Sequence, residues 1–192
     1  EGGPALASRE NPDISAMIRE FLEAEGITVH TGAKIEGVSG ASGTITVRMD
    51  TGVASGTHLL VATGRLPNTD GLGLEGIGIE TGPRGHIATN ERLETAAPGV
   101  WALGDINGRG AFTHTSYHDF EIVAENLAGG ARSADARVMA YAMFTDPPLG
   151  HVGIQRYEAQ KLADEGRSIL IAEHDMKDVS RAKEESELTG RI

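Results

Sequence analysis

The reading of the fold turns on VWALGDINGRGAFTHTSYHD, residues 100–119. Its apolar opening, Val100 to Leu103, reads as a buried strand that stops at Gly104-Asp105. A loop holding Gly108 and Gly110 follows, and a helix is expected from Thr113. That order puts a carboxylate at the carboxyl end of a strand, where α/β sheets place their ligand crevices. Asp105 could there accept hydrogen bonds from sugar or polyol hydroxyls. The helix behind it would turn unpaired N–H groups and the positive end of its dipole toward the same place, which suits electron-rich oxygen or nitrogen. A plainer reading stands beside this one: Asp105 caps a turn, and Gly104, Gly108 and Gly110 only satisfy loop geometry.

A second stretch shifts the balance. HLLVATGRLPN, residues 58–68, is another apolar strand ending in a tight glycine-containing loop. Two such strand ends in one short chain favour a nucleotide cofactor over coincidence. Arg65 in that loop reads equally as an anchoring ion pair or as a cofactor contact.

Outward from these motifs, Asn11 is expected to cap a helix that Pro12 opens. Ile14, Met17, Ile18, Phe21 and Leu22 form its apolar face, and Gly26 is its stop. ITVHT (27–31), AKIEGVS (33–39), TITVRM (44–49) and THLLVAT (57–63) then read as four short strands, with HIAT (86–89) a further one in a loop-rich segment. The helix from Thr113 is expected to bury Tyr117, Phe120, Ala124, Leu127 and Ala128 and to end at Gly129-Gly130. Beyond Val138 the pattern changes to VMAYAMF, the turn TDPPLG, the helix QRYEAQKLADEG and the strand SILIAEH. Both ends of the chain read as cut: Glu1 opens without a preceding strand, and ELTGRI resembles a strand just beginning.

Composition narrows the class. The 192 residues are 39% hydrophobic and 23% charged, within the globular range, and no apolar run approaches the ~20 residues of a membrane-spanning helix. A net charge of −11 without a basic patch argues against nucleic acid or anionic membrane as partner. Seven histidines without a cysteine exclude disulfides and thiolate metal sites in these residues, and are compatible with a cytoplasmic location. His114 and His118 have the i, i+4 spacing of a shared metal, and His151 and His174 could add ligands. With no third ligand at diagnostic spacing, the expectation is no metal site. Trp101 is expected in the core. The mixed charges from Asp175 to Glu187 are expected to form a solvated face.

LLVATGRLPN, VWALGD and VMAYAMFTDPPLGHVG, in that order, resemble the pyridine nucleotide-disulfide oxidoreductases, the flavoprotein family that includes dihydrolipoamide dehydrogenase, glutathione reductase and mercuric reductase. FTDPPLGHVG and GAFTHTSYHD look nearest to the mercuric-reductase-like branch. The resemblance implies an α/β and α+β fold, with partial FAD- and NAD(P)-binding Rossmann-like domains and the start of an α+β interface domain. Residues 1–66 would be the second half of the NAD(P)-binding domain. Residues 67–137 would be the returning segment of the FAD-binding domain, and 138–192 the start of the dimerisation domain.

Carried over by residue, the resemblance makes Asp105, after Gly104, the acceptor for the ribityl chain of FAD. It sets Ala111, Phe112, Thr113 and His114 against the flavin pyrimidine edge. Thr63 and Gly64 would line the crossover between the NAD and FAD domains. Glu1 would accept from the ribose 2′-hydroxyl of the nicotinamide cofactor, which favours NADH within NAD(P)H. The chain lacks the family's G-x-G-x-x-G turns for either nucleotide, since its one literal match, Gly71–Gly76, falls in the loop-rich segment rather than between a strand and a helix, and it lacks the Cys-x4-Cys redox pair and the carboxyl-terminal His with a partner Glu. The resemblance therefore implies a C-terminal-half fragment, without catalytic residues of its own, of a homodimeric enzyme. That enzyme would pass reducing equivalents from NAD(P)H through flavin to a disulfide, a metal ion or another small-molecule acceptor. Two other classes remain open: an NADH oxidase or ferredoxin-reductase type of flavoprotein without a redox disulfide, and a truncated, non-catalytic interaction module.

Overall fold

The structure is a computed structural model, in which residues 1–172 are described. The chain divides into two compact units. One combines Glu1–Val61 with the segment from Met139 onward, and the other is Ala62–Val138.

In the first unit, helix α1 spans Pro12–Ala24. Proline at its start lacks only an N–H that the helix could not have paired. Asn11 holds the N-cap position in extended backbone but makes no side-chain cap, contrary to expectation. Its carbonyl accepts from Ser15 N–H at 3.0 Å, while its Oδ1 is buried without a partner among the described residues. Ser15 and Ile18 form the buried line of the helix, and Gly26 follows the C-cap at φ +87°.

Strands β1 (Ile35–Ala41), β2 (Thr44–Met49) and β3 (Gly52–Gly56) form an antiparallel meander in that order. Ala41 pairs with Thr44 across Ser42-Gly43, and Met49 pairs with Gly52 across Asp50-Thr51. The Asp50 carboxylate accepts the Lys34 N–H at 2.9 Å, and Lys34 O accepts the Asp50 N–H at 3.1 Å, which closes the end of the sheet. The expected strands at 27–31 and 57–63 do not form ladders. An apolar run becomes a strand only where a neighbour supplies a continuous ladder of hydrogen bonds, and among the described residues these runs have only isolated ones, such as those from the Glu1 amino group to His30 O at 2.9 Å and from Gly43 N–H to Thr57 O at 3.1 Å. Conversely GVASG, weak in strand propensity, is recruited as β3 because the edge of β2 is available.

Strands β4 (Ala140–Met143) and β5 (Leu149–Val152) pair antiparallel, Ala140 with Val152 and Met143 with Leu149. Helix α3, Arg156–Asp164, starts where the Glu158 carboxylate accepts the Gln155 N–H at 2.7 Å. Of SILIAEH, residues 168–172 form no helix or strand with the described residues, and the rest lies outside them, as do His174 and the Asp175–Glu187 charges.

The second unit is built around one long helix, α2 (Thr113–Leu127). HIAT and the strand ahead of Gly104 are reduced to single bridges, Thr81 to Ile87 and Glu94 to Trp101. Ile79, Ile87, Ala97 and Ala102 make one apolar cluster. Leu93, Ile122, Val123 and Ala134 make another, with Trp101 and Leu103 against it, so Trp101 is a core residue. The orientation of α2 differs from expectation. It buries Thr115, Asp119, Ile122 and Val123, and it leaves Tyr117, Phe120 and Leu127 exposed at 64%, 55% and 65%. Both sets have helical spacing, and the buried one is chosen by what Leu93 and Ala134 can pack against, with Asp119 bound in among them.

Candidate functional site

Gly104 and Asp105 begin a short 3-10 turn, Gly104–Asn107, directly after the Trp101 bridge. Gly104 is buried with φ +75°, and a Cβ there would meet Ser116 Oγ at 2.9 Å, so the turn lies tight against the start of α2. At Gly110 a Cβ would meet Thr115 Cγ2 at 2.6 Å. The glycines of the loop thus admit backbone to the first turn of α2.

Asp105 is half exposed, with its carboxylate 3.3 Å from the guanidinium of Arg65. The two glycine-containing loops singled out by sequence therefore meet, although neither follows a formed strand, and Arg65 is an ion-pair partner of Asp105. His86 packs its ring beneath Gly108, on the same loop.

Phe112 is the N-cap of α2, in extended backbone, and contributes no side-chain cap; Ser116 N–H bonds back to its carbonyl at 3.0 Å. Phe112 and His114 rings stack at 5.3 Å. Ala111, Thr113 and His114 are exposed. Just inside, Thr115 is 1% exposed with its Oγ1 unpartnered among the described residues. Gly104, Asp105, Ala111, Phe112, Thr113 and His114 thus share one corner of the second unit. Thr63 and Gly64 belong to the same unit and are exposed, Gly64 with φ +115°.

Glu1 stands in the first unit. It is exposed, its Oε1 accepts the Gly3 N–H at 2.6 Å, and its amino group donates to His30 O at 2.9 Å. Also in that unit, buried Glu10 accepts from the Tyr141 hydroxyl and, at 3.0 Å, from Gln155 Nε2. Burial, with the hydrogen bond to Glu10 and its charge adding, pushes the Tyr141 phenol up to about 12.

Sequence reasoning overlooked the group behind the loop. Asp119 is fully buried, and its Oδ2 accepts both the Gly104 N–H and Asn107 Nδ2 at 2.8 Å. Its other oxygen pairs with Arg137. Arg137 Nε also donates to His118 Nδ1 at 2.9 Å. Burial first, and then the Arg137 and Arg132 charges, hold His118 below its ordinary value of 6.5. The available signal was an aspartate within a run of helix-spaced buried positions, Thr115, Asp119 and Ile122, but a count of apolar residues passes over it. No group of three or more His, Cys, Asp or Glu able to hold a metal occurs among the described residues. Among them, too, no helix is long and apolar enough to cross a membrane.

Comparison with known proteins identifies the family. The family described as pyridine nucleotide-disulphide oxidoreductase matches residues 1–119. The mercuric reductase of Streptomyces lividans is 39% identical over 78% of this chain and 32% of its own length. RclA of Escherichia coli is 32% identical over 95% of this chain and 41% of its own. A dihydrolipoyl dehydrogenase of Thermus scotoductus is 34% identical over 82% of this chain and 35% of its own. The chain therefore spans only about a third to two fifths of these relatives. The solved structure of RclA, described as an HOCl-induced flavoprotein disulfide reductase, superposes with a TM-score of 0.83 at 31% identity, covering all of this chain and 44% of that one. This likeness identifies the α/β fold, although the paired strands among the described residues are all antiparallel. The chain belongs to the pyridine nucleotide-disulfide oxidoreductase family.

Proposed function

We propose that this chain forms part of an FAD-dependent oxidoreductase that moves reducing equivalents from NAD(P)H through flavin to a disulfide, a metal ion or a similar acceptor. Bound FAD would supply the electron transfer itself. The observation that carries the reading is the corner where a half-exposed carboxylate, Asp105, stands beside the start of α2. The donor set fits a flavin. Asp105 offers acceptor capacity to ribityl hydroxyls, and the first N–H groups of a 15-residue helix offer donors and a positive dipole end to the pyrimidine edge. Phe112 occupies the N-cap without a capping side chain, and just behind it the Thr115 hydroxyl has no partner among the described residues. In this reading Gly104 and Asp105 hold the ribityl chain, and Ala111, Phe112, Thr113 and His114 face the ring.

Thr63 and Gly64 would line the approach of the nicotinamide cofactor. Glu1 would bind its ribose, with NADH favoured because a carboxylate repels a 2′-phosphate. The division at 1–66, 67–137 and 138–192 is kept as the family-based assignment, with the last part proposed to build a homodimer in the cytoplasm. The one G-x-G-x-x-G match, Gly71–Gly76, runs into the four-residue 3-10 turn Leu74–Ile77 with no strand before it, so it is not the strand-to-helix turn that receives pyrophosphate, and the 192 residues alone are expected to hold flavin weakly and to be inactive.

The test is FAD titration of the natural polypeptide that carries these residues. Asp105→Ala should weaken FAD by about 1 to 3 kcal/mol, because a ribityl hydroxyl loses its acceptor. Unchanged affinity would remove Asp105 from the site.

A further inference from the structure

We propose that Asp119 is a positioning residue for flavin, acting through the Gly104–Asn107 turn to aim Asp105; this rests on the FAD reading above. A fully buried carboxylate is costly unless every lone pair is engaged, and Asp119 is engaged by a particular set of groups. Its Oδ2 takes one hydrogen bond from the first residue of the turn, Gly104, and one from the last, Asn107, both at 2.8 Å. The second oxygen is claimed by Arg137, itself only 8% exposed. Asn107 is fixed further by Nδ2 to Ala102 O at 3.0 Å and by Oδ1 accepting from Arg109 N–H at 2.8 Å.

Asp105 lies between the two gripped residues, and its own side chain points outward to Arg65. One oxygen of Asp119 therefore holds both ends of the short segment that carries the ribityl acceptor. Ordinary anchoring of α2 would not require this arrangement, since the Ile122 and Val123 packing already seats that helix. Hydrogen bonds to a charged acceptor are short and directional, so the position of the Asp105 Cα follows the Asp119 carboxylate.

Asp119→Asn keeps the shape but replaces one acceptor with an NH2 group among donors from Gly104, Asn107 and Arg137. If Asp119 acts through Asp105, its effect on FAD binding must vanish once Asp105 is gone. The experiment is a double-mutant cycle in the natural polypeptide, read by FAD affinity and by the visible spectrum of the bound flavin. Asp119→Asn alone should weaken FAD by about tenfold and shift the flavin spectrum. In an Asp105→Ala background it should weaken FAD less than about threefold further.

Asn107→Ser, which releases one end of the turn and leaves the Asp119–Arg137 pair in place, should move affinity the same way by a smaller factor. This variant carries the test if Asp119→Asn does not fold. Ile122→Val serves as the structural control and should leave both readouts unchanged. Additive losses in the cycle, or wild-type affinity in both Asp119→Asn and Asn107→Ser, overturn the positioning role alone. Failure of the unsubstituted protein to bind FAD overturns the flavin reading together with it.

Discussion

The guanidinium of Arg65 stands 3.3 Å from the carboxylate of Asp105, forty residues along the chain. The pair is exposed, Arg65 at 81% and Asp105 at 48%, so solvent screens it and its value to stability is small. Its geometric effect is larger, because it leads one carboxylate oxygen, Oδ2, toward Arg65 and leaves Oδ1 outside that contact. Arg65→Ala should change unfolding free energy by no more than about 1 kcal/mol, with a coupling to Asp105→Ala that fades in high salt. Urea denaturation of the four members of the cycle at low and high salt measures this; a large, salt-insensitive coupling would contradict it.

Gly104→Ala tests the closeness of the turn to α2. The left-handed backbone and the contact with Ser116 Oγ together should cost roughly 1–3 kcal/mol. Ser116→Gly in the same chain should return only part of that loss, since it relieves the contact and not the φ angle. Full recovery in thermal denaturation would show that backbone strain at Gly104 is negligible.

His118 sets an acid limit on the second unit. Its folded-state value lies below the ordinary 6.5, so the unfolded chain takes up a proton first as pH falls. The stability it contributes is complete above about 6.5 and is lost as pH drops through the depressed value. Replacing His118 by Gln, which keeps an acceptor for Arg137, should flatten the stability profile below that pH. An unchanged profile by chemical denaturation at stepped pH would place the acid sensitivity elsewhere.

At the alkaline end the first unit has a counterpart in Tyr141. Its phenol is raised from 10.0 to about 12, so the unfolded chain loses that proton first. Stability is complete below pH 10 and falls between 10 and about 12. Tyr141→Phe should remove that slope and lower stability at neutral pH, because buried Glu10 loses a donor. A Tyr141→Phe protein retaining the full alkaline slope would refute the assignment.

Local signals were legible in the sequence where they needed no partner. Pro12 opens α1, Gly26 follows its end, Thr113 starts α2, and TITVRM gives β2 at its observed limits. The glycine loop, Asp105 and Arg65 were legible only as polar groups at two separate turns; that Arg65 pairs with Asp105 is a three-dimensional fact. Choices between competing surfaces were not legible. Tyr117, Phe120 and Leu127 fit a helical stripe as well as Thr115, Asp119, Ile122 and Val123 do, and the packing of Leu93 and Ala134 decides. Extended runs such as 27–31 carry strand character without naming a neighbour, and β3 owes its state to β2. Asp119 was hidden because a buried charge depends on Arg137, eighteen residues away.

The bonds from Glu10 to Tyr141 and Gln155 join positions 131 and 145 residues apart. On a ribosome, Glu10 and α1 emerge long before Tyr141 and Gln155 exist, while the intervening unit is a continuous stretch that can fold as soon as it is exposed. During synthesis, then, Glu10 remains a hydrated carboxylate until the chain has grown past Gln155. The first unit is the earlier one to be made and the later one to be finished.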